Sequence, residues 1–309
     1  MARVCQLTQQ EVAAIRDVVS RRCGFFLGEP HERYLGCRVS ERMQELGSGF
    51  PNYLDRLEKS PEGGGELQAL VERLCIYETR FMRDPSDFRA LSCCLLPVLV
   101  REMRRSGRRR MRVVSAGCST GQEAYSLAMV LHEAGPELRD ITFEVVGLDI
   151  SGDALQHARS GRYSERELGS LDPWRRERYF LARETGYEVV PWLRDRVRFL
   201  QCNLATAIPI FQVEIIFCRN VLIYFSPTQR QEVIRALLAS LRLGGFLVAG
   251  SADSTWEHRD VLQAIRLRGT IVYRRFKAME AGAQVRNPSA APPSAVSSGA
   301  VSHGRGVVG

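Results

Sequence analysis

From residue 110 onward, short apolar runs rich in β-branched residues alternate with amphipathic segments. The runs MRVVSAG, ITFEVVGLDI, VEIIFCR, GFLVAGS and TIVYRRF predict strands, and the segments 121–134, 151–160 and 227–242 predict helices. Strands that are apolar throughout are buried on both faces, which is typical of parallel sheets covered by helices. The alternation therefore predicts an α/β fold built on a parallel sheet.

Two other parts of the chain follow different patterns. The first 75 residues or so contain amphipathic stretches at helical spacing that stop at Gly24 and Gly47, and they predict a small all-helical domain. A further helix, predicted over 87–104, links this domain to the sheet. Between 163 and 202 the alternation is interrupted, and YEVVPWLRDRVRFLQC predicts a small inserted antiparallel β subdomain at about 178–202.

The composition changes again near the end of the chain. From 278 onward the sequence is rich in Ala, Gly, Pro and Ser, so it buries too little apolar surface to offset chain entropy and is predicted to be disordered. We therefore expect a helical domain with its linker over 1–85, an α/β domain over 86–277 and a tail over 278–309.

Composition excludes several classes of protein. The nine cysteines form no C-x-x-C pair and the five histidines have no ligand spacing, so we expect no metal. No signal-like segment or run of 18 apolar residues is present, and we expect a cytoplasmic protein without membrane insertion. Much of the net charge of +8 lies in the arginine-rich run 101–112, which indicates either a nucleic acid or acidic protein surface as partner, or a solvated helix end and turn.

A loop of small residues, Gly117-Cys-Ser-Thr-Gly121, follows the first predicted strand and opens a helix. Its backbone N–H groups can face a ligand, although an ordinary helix cap explains such a loop equally well. The next strand ends in Asp149, whose carboxylate can accept hydrogen bonds from ribose hydroxyls, while Ser151 is placed to cap the following helix. The loop and the acid together indicate a cofactor that carries a nucleoside, with Gly117 among its binding residues.

Five segments in order give the chain a strong resemblance to the CheR family of chemotaxis receptor methyltransferases. They are ETRFMRDPSDF (78–88), SAGCSTGQEAYSLAM (115–129), GLDISGDALQHARSGRY (147–163), CNLA (202–205) and CRNVLIYFSPTQRQEVI (218–234). The resemblance implies a Rossmann-like class I methyltransferase domain behind the helical domain. It also implies S-adenosylmethionine as cofactor and, as substrate, glutamate side chains in the cytoplasmic helical region of methyl-accepting chemotaxis receptors. We expect a monomer that binds no nucleic acid.

The resemblance also implies roles for individual residues. Thr79 and Arg83 match the segment that reaches the methionine end of the cofactor, and Tyr224 matches a tyrosine near the transferred methyl group. The remaining matches are Glu123 as a cofactor-contacting carboxylate, Asp149 as the ribose acid, Asn203 and Leu204 beside the adenine, and Arg219 and Asn220 after the fourth strand. We expect Arg83 to orient the incoming carboxylate and Tyr224 to donate a hydrogen bond; the alternatives are an ion pair of Arg83 with Asp84 or Asp87, and a core role for Tyr224.

Receptor binding is expected to involve the helical domain. Arg38 and Arg42 lie four residues apart on one predicted helix face, with Arg33 nearby, and these arginines either dock against an acidic receptor or form a solvated basic face. The segment ARETGYEVVP is short where some family members have a longer loop for a receptor's C-terminal pentapeptide, so we expect no dependence on that peptide. Tyr77 stands where the family commonly has asparagine, a position that contacts the cofactor.

Two other functions compete with receptor methylation. The arginine run favours a nucleic-acid methyltransferase, but the segment after the fourth strand reads CRNVLIYF and lacks the Asn/Asp-Pro-Pro-aromatic loop typical of base amino methylation. A non-catalytic module that binds S-adenosylmethionine and signals through the helical domain is the other alternative. The presence of Arg83 and Tyr224 favours an active enzyme.

Overall fold

The computed structural model describes residues 7–26, 29–61, 64–206, 208–250, 258–267 and 269–277. The tail over 278–309, predicted to be disordered, lies outside the described residues. No helix within the described ranges is both long and apolar enough to cross a membrane.

The N-terminal part of the structure is a bundle of helices. Its members are α1 (Gln9–Cys23), α2 (Glu29–Glu45), α3 (Phe50–Lys59) and α4 (Gly65–Leu74). Thr8 and Glu11 form a capping box at the start of α1, and Gly24 ends this helix in the left-handed conformation. Fully buried apolar side chains, among them Ile15, Leu35 and Leu57, form a separate core for the bundle.

An irregular linker leads from the bundle into a long helical segment that supports the sheet. The segment consists of α5 (Pro85–Ala90), a π-helical turn (Leu91–Leu95) and α6 (Leu96–Arg105). The sequence predicts one regular helix over 87–104, whereas the structure contains the π-helical turn and starts the segment two residues earlier.

The α/β domain contains the rest of the described secondary structure. Its strands are β1 (Arg110–Ala116), β2 (Thr142–Asp149), β3 (Arg162–Tyr163), β4 (Phe180–Arg183), β5 (Gly186–Val189), β6 (Val197–Gln201), β7 (Val213–Cys218), β8 (Leu241–Ala249), β9 (Leu262–Leu267) and β10 (Thr270–Arg275). Its helices are α7 (Gln122–Glu133), α8 (Gly152–Ser160), α9 (Pro173–Tyr179), α10 (Pro191–Arg194) and α11 (Pro227–Ser240), with short 3-10 turns at Glu167–Ser170 and Leu222–Tyr224.

The main sheet has seven strands in the order β6-β2-β1-β7-β8-β10-β9. The strands from β6 to β8 are parallel, and β10 runs antiparallel to both of its neighbours. Successive residues of β1 face opposite cores: Val113 packs into one buried cluster and Val114 into the other. Both faces of the sheet are therefore covered, as the continuous apolar strands predict.

The structure corrects three details of the predicted sheet. The predicted parallel sheet carries an antiparallel pair at one edge, formed by β10 and by β9, a strand that the sequence analysis missed. The predicted helix 227–242 ends at Ser240, and the strand predicted to start at Gly245 starts earlier, at Leu241, so that Gly244 and Gly245 lie inside β8 near a register shift.

The third correction concerns the insertion. The strands β3, β5 and β4 form a separate small antiparallel sheet, in agreement with the predicted fold class. However, the last part of the predicted 178–202 insertion, Val197–Gln201, is β6 and pairs in parallel with β2 at the edge of the main sheet. The sequence pattern does not distinguish a strand of the small inserted sheet from an edge strand of the main sheet, because short strands have similar patterns in both.

The helical domain lies against the carboxyl edge of the parallel strands. The N–H of Phe26 donates to the carbonyl of Tyr224 at 2.7 Å. The side chain of Gln68 donates to the carbonyl of Ile150 at 3.1 Å, and that of Gln229 to the carbonyl of Ser20 at 3.0 Å. These contacts place the bundle over the loops that follow the strands.

Candidate functional site

A cavity opens at the carboxyl edge of the sheet, beneath the helical domain and the linker. Phe25 of the helical domain forms part of its wall, together with the linker and the loops after β1, β2 and β7. All but two of the residues predicted to contact the cofactor or the reacting carboxylate line this cavity: Thr79, Arg83, Gly117, Glu123, Asp149, Arg219, Asn220 and Tyr224. The edge is where ligands bind in open α/β sheets.

The two exceptions are Asn203 and Leu204. Leu204 is buried in the core, and Asn203 lines an adjoining hollow that shares Ile150 with the main cavity. The Asn203 side chain stabilises its own loop, since its Oδ1 accepts the N–H of Ala205 at 2.9 Å. The structure therefore places Asn203 beside the cavity and Leu204 in the core, and neither residue is part of the cavity wall.

The glycine loop is shaped by close approach of the backbone. Gly117 has a φ of 78°, and a Cβ at this position would lie 2.5 Å from the Cγ2 of Val221. The N–H groups of Gly117 and Cys118 donate to the carbonyl of Leu148 at 2.7 and 2.9 Å. The expectation that these amides face a ligand is thus wrong, because they tie the loop to β2.

Asp149 is held at the end of β2 by backbone amides. Its two oxygens accept the N–H of Ser119 at 2.7 Å and the N–H of Ser151 at 3.0 Å. Burial raises the pKa of Asp149 against the effect of these hydrogen bonds. Ser151 caps α8 as predicted, since its Oγ accepts the N–H of Ala154. Asp149 is therefore fixed in orientation and retains acceptor capacity toward the cavity.

Glu123 lies in the first turn of α7. The hydroxyl of Ser115 donates to its Oε1 at 2.6 Å. Burial raises the pKa of Glu123 to about 7, an effect that Ser115 and Arg219 oppose. This carboxylate therefore changes charge near neutral pH and is suited to pair with a cationic group of a ligand.

Arg219 is engaged within the protein. Its guanidinium pairs with Asp84 at 2.9 Å and with Asp87 at 3.0 Å, and it donates to the carbonyl of Ala249 at 2.9 Å. Sequence analysis missed the two aspartates as its partners, because acids around Pro85 are also typical of a helix start. The arrangement ties the linker to the end of β7.

Arg83 lies in the cavity wall with a partly exposed side chain. Its Nη1 donates to the carbonyl of Glu78 at 2.6 Å, and the carboxylate of Glu78 is 3.8 Å away. The alternative ion pair with Asp84 or Asp87 is not observed, since both pair with Arg219. A guanidinium has five N–H donors, so Arg83 retains donors for a ligand.

Tyr224 contacts an aromatic residue that the sequence analysis missed. The ring of Phe25 packs edge-on against Tyr224 with centroids 6.4 Å apart. Burial raises the pKa of Tyr224, so its hydroxyl is neutral at pH 7 and can donate. Nothing in the local pattern around Gly24 indicated this contact, because it joins distant parts of the chain.

The predicted arginine face of α2 is divided by the structure. Arg42 is largely buried and pairs with Glu66 at 2.6 Å and with Glu45 at 2.7 Å, so its charge is used within the domain. Arg38 pairs with Glu41 at 3.0 Å and lies over the ring of Tyr34, while Arg33 is exposed. The expected three-arginine docking face is thus reduced to Arg33 and Arg38.

The arginine-rich run lies around the start of β1, at the edge of the sheet opposite the cavity. Several of its members pair with acids: Arg104 with Asp140, Arg108 with Glu214, and Arg110 and Arg112 with Glu144. The run therefore does not line the candidate site. Within the described residues, no group of three or more His, Cys, Asp or Glu side chains is arranged to hold a metal ion.

The sequence matches two family models that together cover most of the chain. Residues 77–271 match the model described as "CheR methyltransferase, SAM binding domain". Residues 10–75 match the model described as "CheR methyltransferase, all-alpha domain". The all-alpha match corresponds to the N-terminal helical bundle, and the SAM-binding match corresponds to the linker and the α/β domain that follow it.

Several known proteins are similar over most of this chain. The "Chemotaxis protein methyltransferase" of Escherichia coli is 34% identical over 277 residues, which cover 86% of this chain and 91% of the relative. "Chemotaxis protein methyltransferase 1" of Pseudomonas aeruginosa is 31% identical over 266 residues, with 84% and 95% covered. The "Probable biofilm formation methyltransferase WspC" of the same species is 34% identical over 272 residues, with 85% and 59% covered.

Proposed function

The chain belongs to the CheR methyltransferase family, and we propose that it transfers a methyl group from S-adenosylmethionine to glutamate side chains of chemoreceptors, forming methyl esters. The observation that carries the proposal is the single cavity that gathers Arg83, Glu123, Asp149 and Tyr224. Relatives named chemotaxis protein methyltransferases support the same substrate class. We propose that the enzyme acts in the cytoplasm, on the helical region of those receptors.

The residues in the cavity fit this cofactor. The Oγ of Ser119 is buried in the wall and has no hydrogen-bond partner among the described residues, so it is available to a polar ligand. We propose that Asp149 accepts from the ribose hydroxyls and Glu123 from the amino group, while Thr79 donates to the carboxylate end. Asn203 is proposed to bound the adenine from the adjoining hollow, with Leu204 supporting it from the core. When bound, S-adenosylmethionine supplies a methyl group on a positively charged sulfur.

The substrate carboxylate needs orientation more than activation. A glutamate side chain has an unperturbed pKa of about 4.3 and is an anion near pH 7, so no general base is required. We propose that free N–H groups of Arg83 bind the incoming carboxylate through charge-assisted hydrogen bonds. The neutral hydroxyl of Tyr224 is proposed to donate to the same group. The protein then contributes mainly positioning.

The helical domain is proposed to serve two purposes. By packing Phe25 against Tyr224, it narrows the cavity and excludes water from the carboxylate of the substrate glutamate. The exposed Arg33 and the partly exposed Arg38 are proposed to dock an acidic receptor surface, which makes the contact sensitive to salt.

A labelled-methyl transfer assay tests the proposal. Purified protein is incubated with methyl-labelled S-adenosylmethionine and with receptor cytoplasmic fragments, DNA or RNA in parallel. We expect label on the receptor alone, and we expect mild base to release it, as a carboxyl methyl ester requires. Transfer to a nucleic acid would instead support the alternative methyltransferase, and cofactor binding without any transfer would support a signalling module.

A further inference from the structure

The side chain of Glu72 connects the helical domain to the α/β domain. It lies near the end of α4, and its Oε1 accepts the N–H of Gly152 at 2.7 Å. Its Oε2 accepts the hydroxyl of Ser151. A carboxylate of one domain therefore holds the first residues of α8 in the other, where the helix dipole also favours a negative charge.

Donors of the helical domain and the linker fix this carboxylate in place. The side chain of Gln68 donates to Oε1 of Glu72 at 2.6 Å. The hydroxyl of Tyr77 lies 3.1 Å from Oε2 of Glu72 and 3.1 Å from the Oγ of Ser151. Tyr77 thus contributes to this junction, which gives a structural account of the residue that replaces the usual asparagine.

The junction continues directly to the proposed ribose acid. The hydroxyl of Ser151 donates to Glu72 and accepts the N–H of Ala154 at 3.0 Å, so its orientation is determined from both sides. The N–H of the same serine donates to Asp149 at 3.0 Å. Glu72 and Asp149 therefore hold one residue by its side chain and by its backbone. The charge of Glu72 also raises the pKa of Asp149, in addition to burial, which strengthens that carboxylate as an acceptor.

We propose that Glu72 is a positioning residue for the cofactor site, which orients Asp149 through Ser151 and makes cofactor binding depend on the docked helical domain. Glu72 is not among the residues that line the cavity, so it acts through its neighbours. The inference rests on the proposed role of Asp149. It gives the helical domain a function in cofactor binding that is separate from receptor docking.

Binding of S-adenosylhomocysteine to the full-length chain, measured by calorimetry, tests this role without turnover. Glu72→Gln keeps the shape but turns an N–H donor toward the donors of Ser151 or Gly152, so we expect about a tenfold loss of affinity. In methyl transfer, the KM for S-adenosylmethionine should rise more than kcat falls.

Glu66→Gln is the matched control. Glu66 is on the same helix, and its carboxylate accepts from Arg42 and Tyr53 inside the bundle, away from the junction. This variant should lower the urea midpoint of unfolding and leave the affinity for S-adenosylhomocysteine within about twofold of the wild type. Equal losses of affinity in Glu66→Gln and Glu72→Gln, or no loss in Glu72→Gln, would overturn the proposal.

A double-mutant cycle tests whether Glu72 acts on Asp149 through Ser151 or whether Glu72 and Ser151 act independently. Ser151→Ala should weaken binding, and combining it with Glu72→Gln should add little further loss. Additive losses would refute the proposal that Glu72 acts through Ser151. Should Glu72→Gln not fold, Gln68→Met removes one donor to Glu72 and is expected to weaken binding about threefold, whereas unchanged affinity would count against the proposal. If the wild type bound no S-adenosylhomocysteine, the proposed cofactor site would fail first and this inference with it.

Discussion

Replacing Glu123 by glutamine tests how much the ionised carboxylate of this buried residue destabilises the folded protein. Burial raises the pKa of Glu123 from an ordinary value of 4.5 to about 7, with the Ser115 hydrogen bond opposing the rise. Glutamine has a similar shape and can still accept from the Ser115 hydroxyl, but it carries no charge. The variant therefore isolates the cost of ionising this side chain in the folded protein.

The sign and size of the effect follow from proton linkage. Between pH 4.5 and about 7 the folded protein retains a proton on Glu123 that the unfolded chain has released. The free energy of unfolding of the wild type consequently falls as the pH rises through this window, and the full cost of ionising Glu123 is present above it. At about 1.4 kcal/mol per pKa unit, the variant should be more stable by up to roughly 3 kcal/mol above the window.

Urea denaturation of wild type and Glu123→Gln, followed by tryptophan fluorescence at constant ionic strength from about pH 5 to pH 8, measures this difference. Other titrating groups contribute equally to both proteins, so the pH dependence of the difference belongs to Glu123. We expect the gain to be small near pH 5 and to reach its maximum near pH 8. A difference that does not change with pH, or a less stable variant at pH 8, would refute the reasoning.

Four further predictions concern the cofactor, the substrate and the receptor. Gly117→Ala should weaken S-adenosylhomocysteine binding by about tenfold or more, because alanine is strained at the φ of 78° and its Cβ would contact Val221; calorimetry showing equal affinity contradicts this. Arg83→Ala should lower receptor methylation by about 10- to 100-fold, the value of a charged hydrogen bond; unchanged turnover and cofactor affinity would exclude its role. Reversing Arg33 and Arg38 to glutamate should raise the KM for receptor fragments and weaken the salt dependence of that KM; an unchanged KM would count against the docking proposal. Deleting the receptor's C-terminal pentapeptide should leave methylation unchanged, and a loss of methylation would count against the proposed independence of that peptide.

Much of the architecture could be predicted from local signals in the sequence. Thr8 with Glu11 marks the start of α1, and continuous apolar runs such as Val213–Cys218 mark the central strands. The order of strand, small-residue loop and Asp149 located the cavity, because the carboxyl ends of parallel strands meet at one edge. These features depend on residues that are close together in the chain.

The remaining features depend on contacts between distant segments. The pairing of Arg219 with Asp84 and Asp87, the packing of Phe25 on Tyr224 and the membership of β6 in the main sheet all join parts of the chain far apart in sequence. A local pattern carries no record of such partners. For the same reason the glycine loop suggested free amides, whereas the structure shows two of them bonded to β2.

The central claim is that one cavity, organised around Asp149, binds the methyl donor. Calorimetric titration of the purified protein with S-adenosylhomocysteine, run beside Asp149→Asn, tests it most directly. We predict one site per chain for the wild type and at least about a tenfold loss of affinity in the variant, since the amide would present a donor toward either a backbone N–H or a hydroxyl. Absence of binding by the wild type, or equal affinity of the two proteins, would contradict the account.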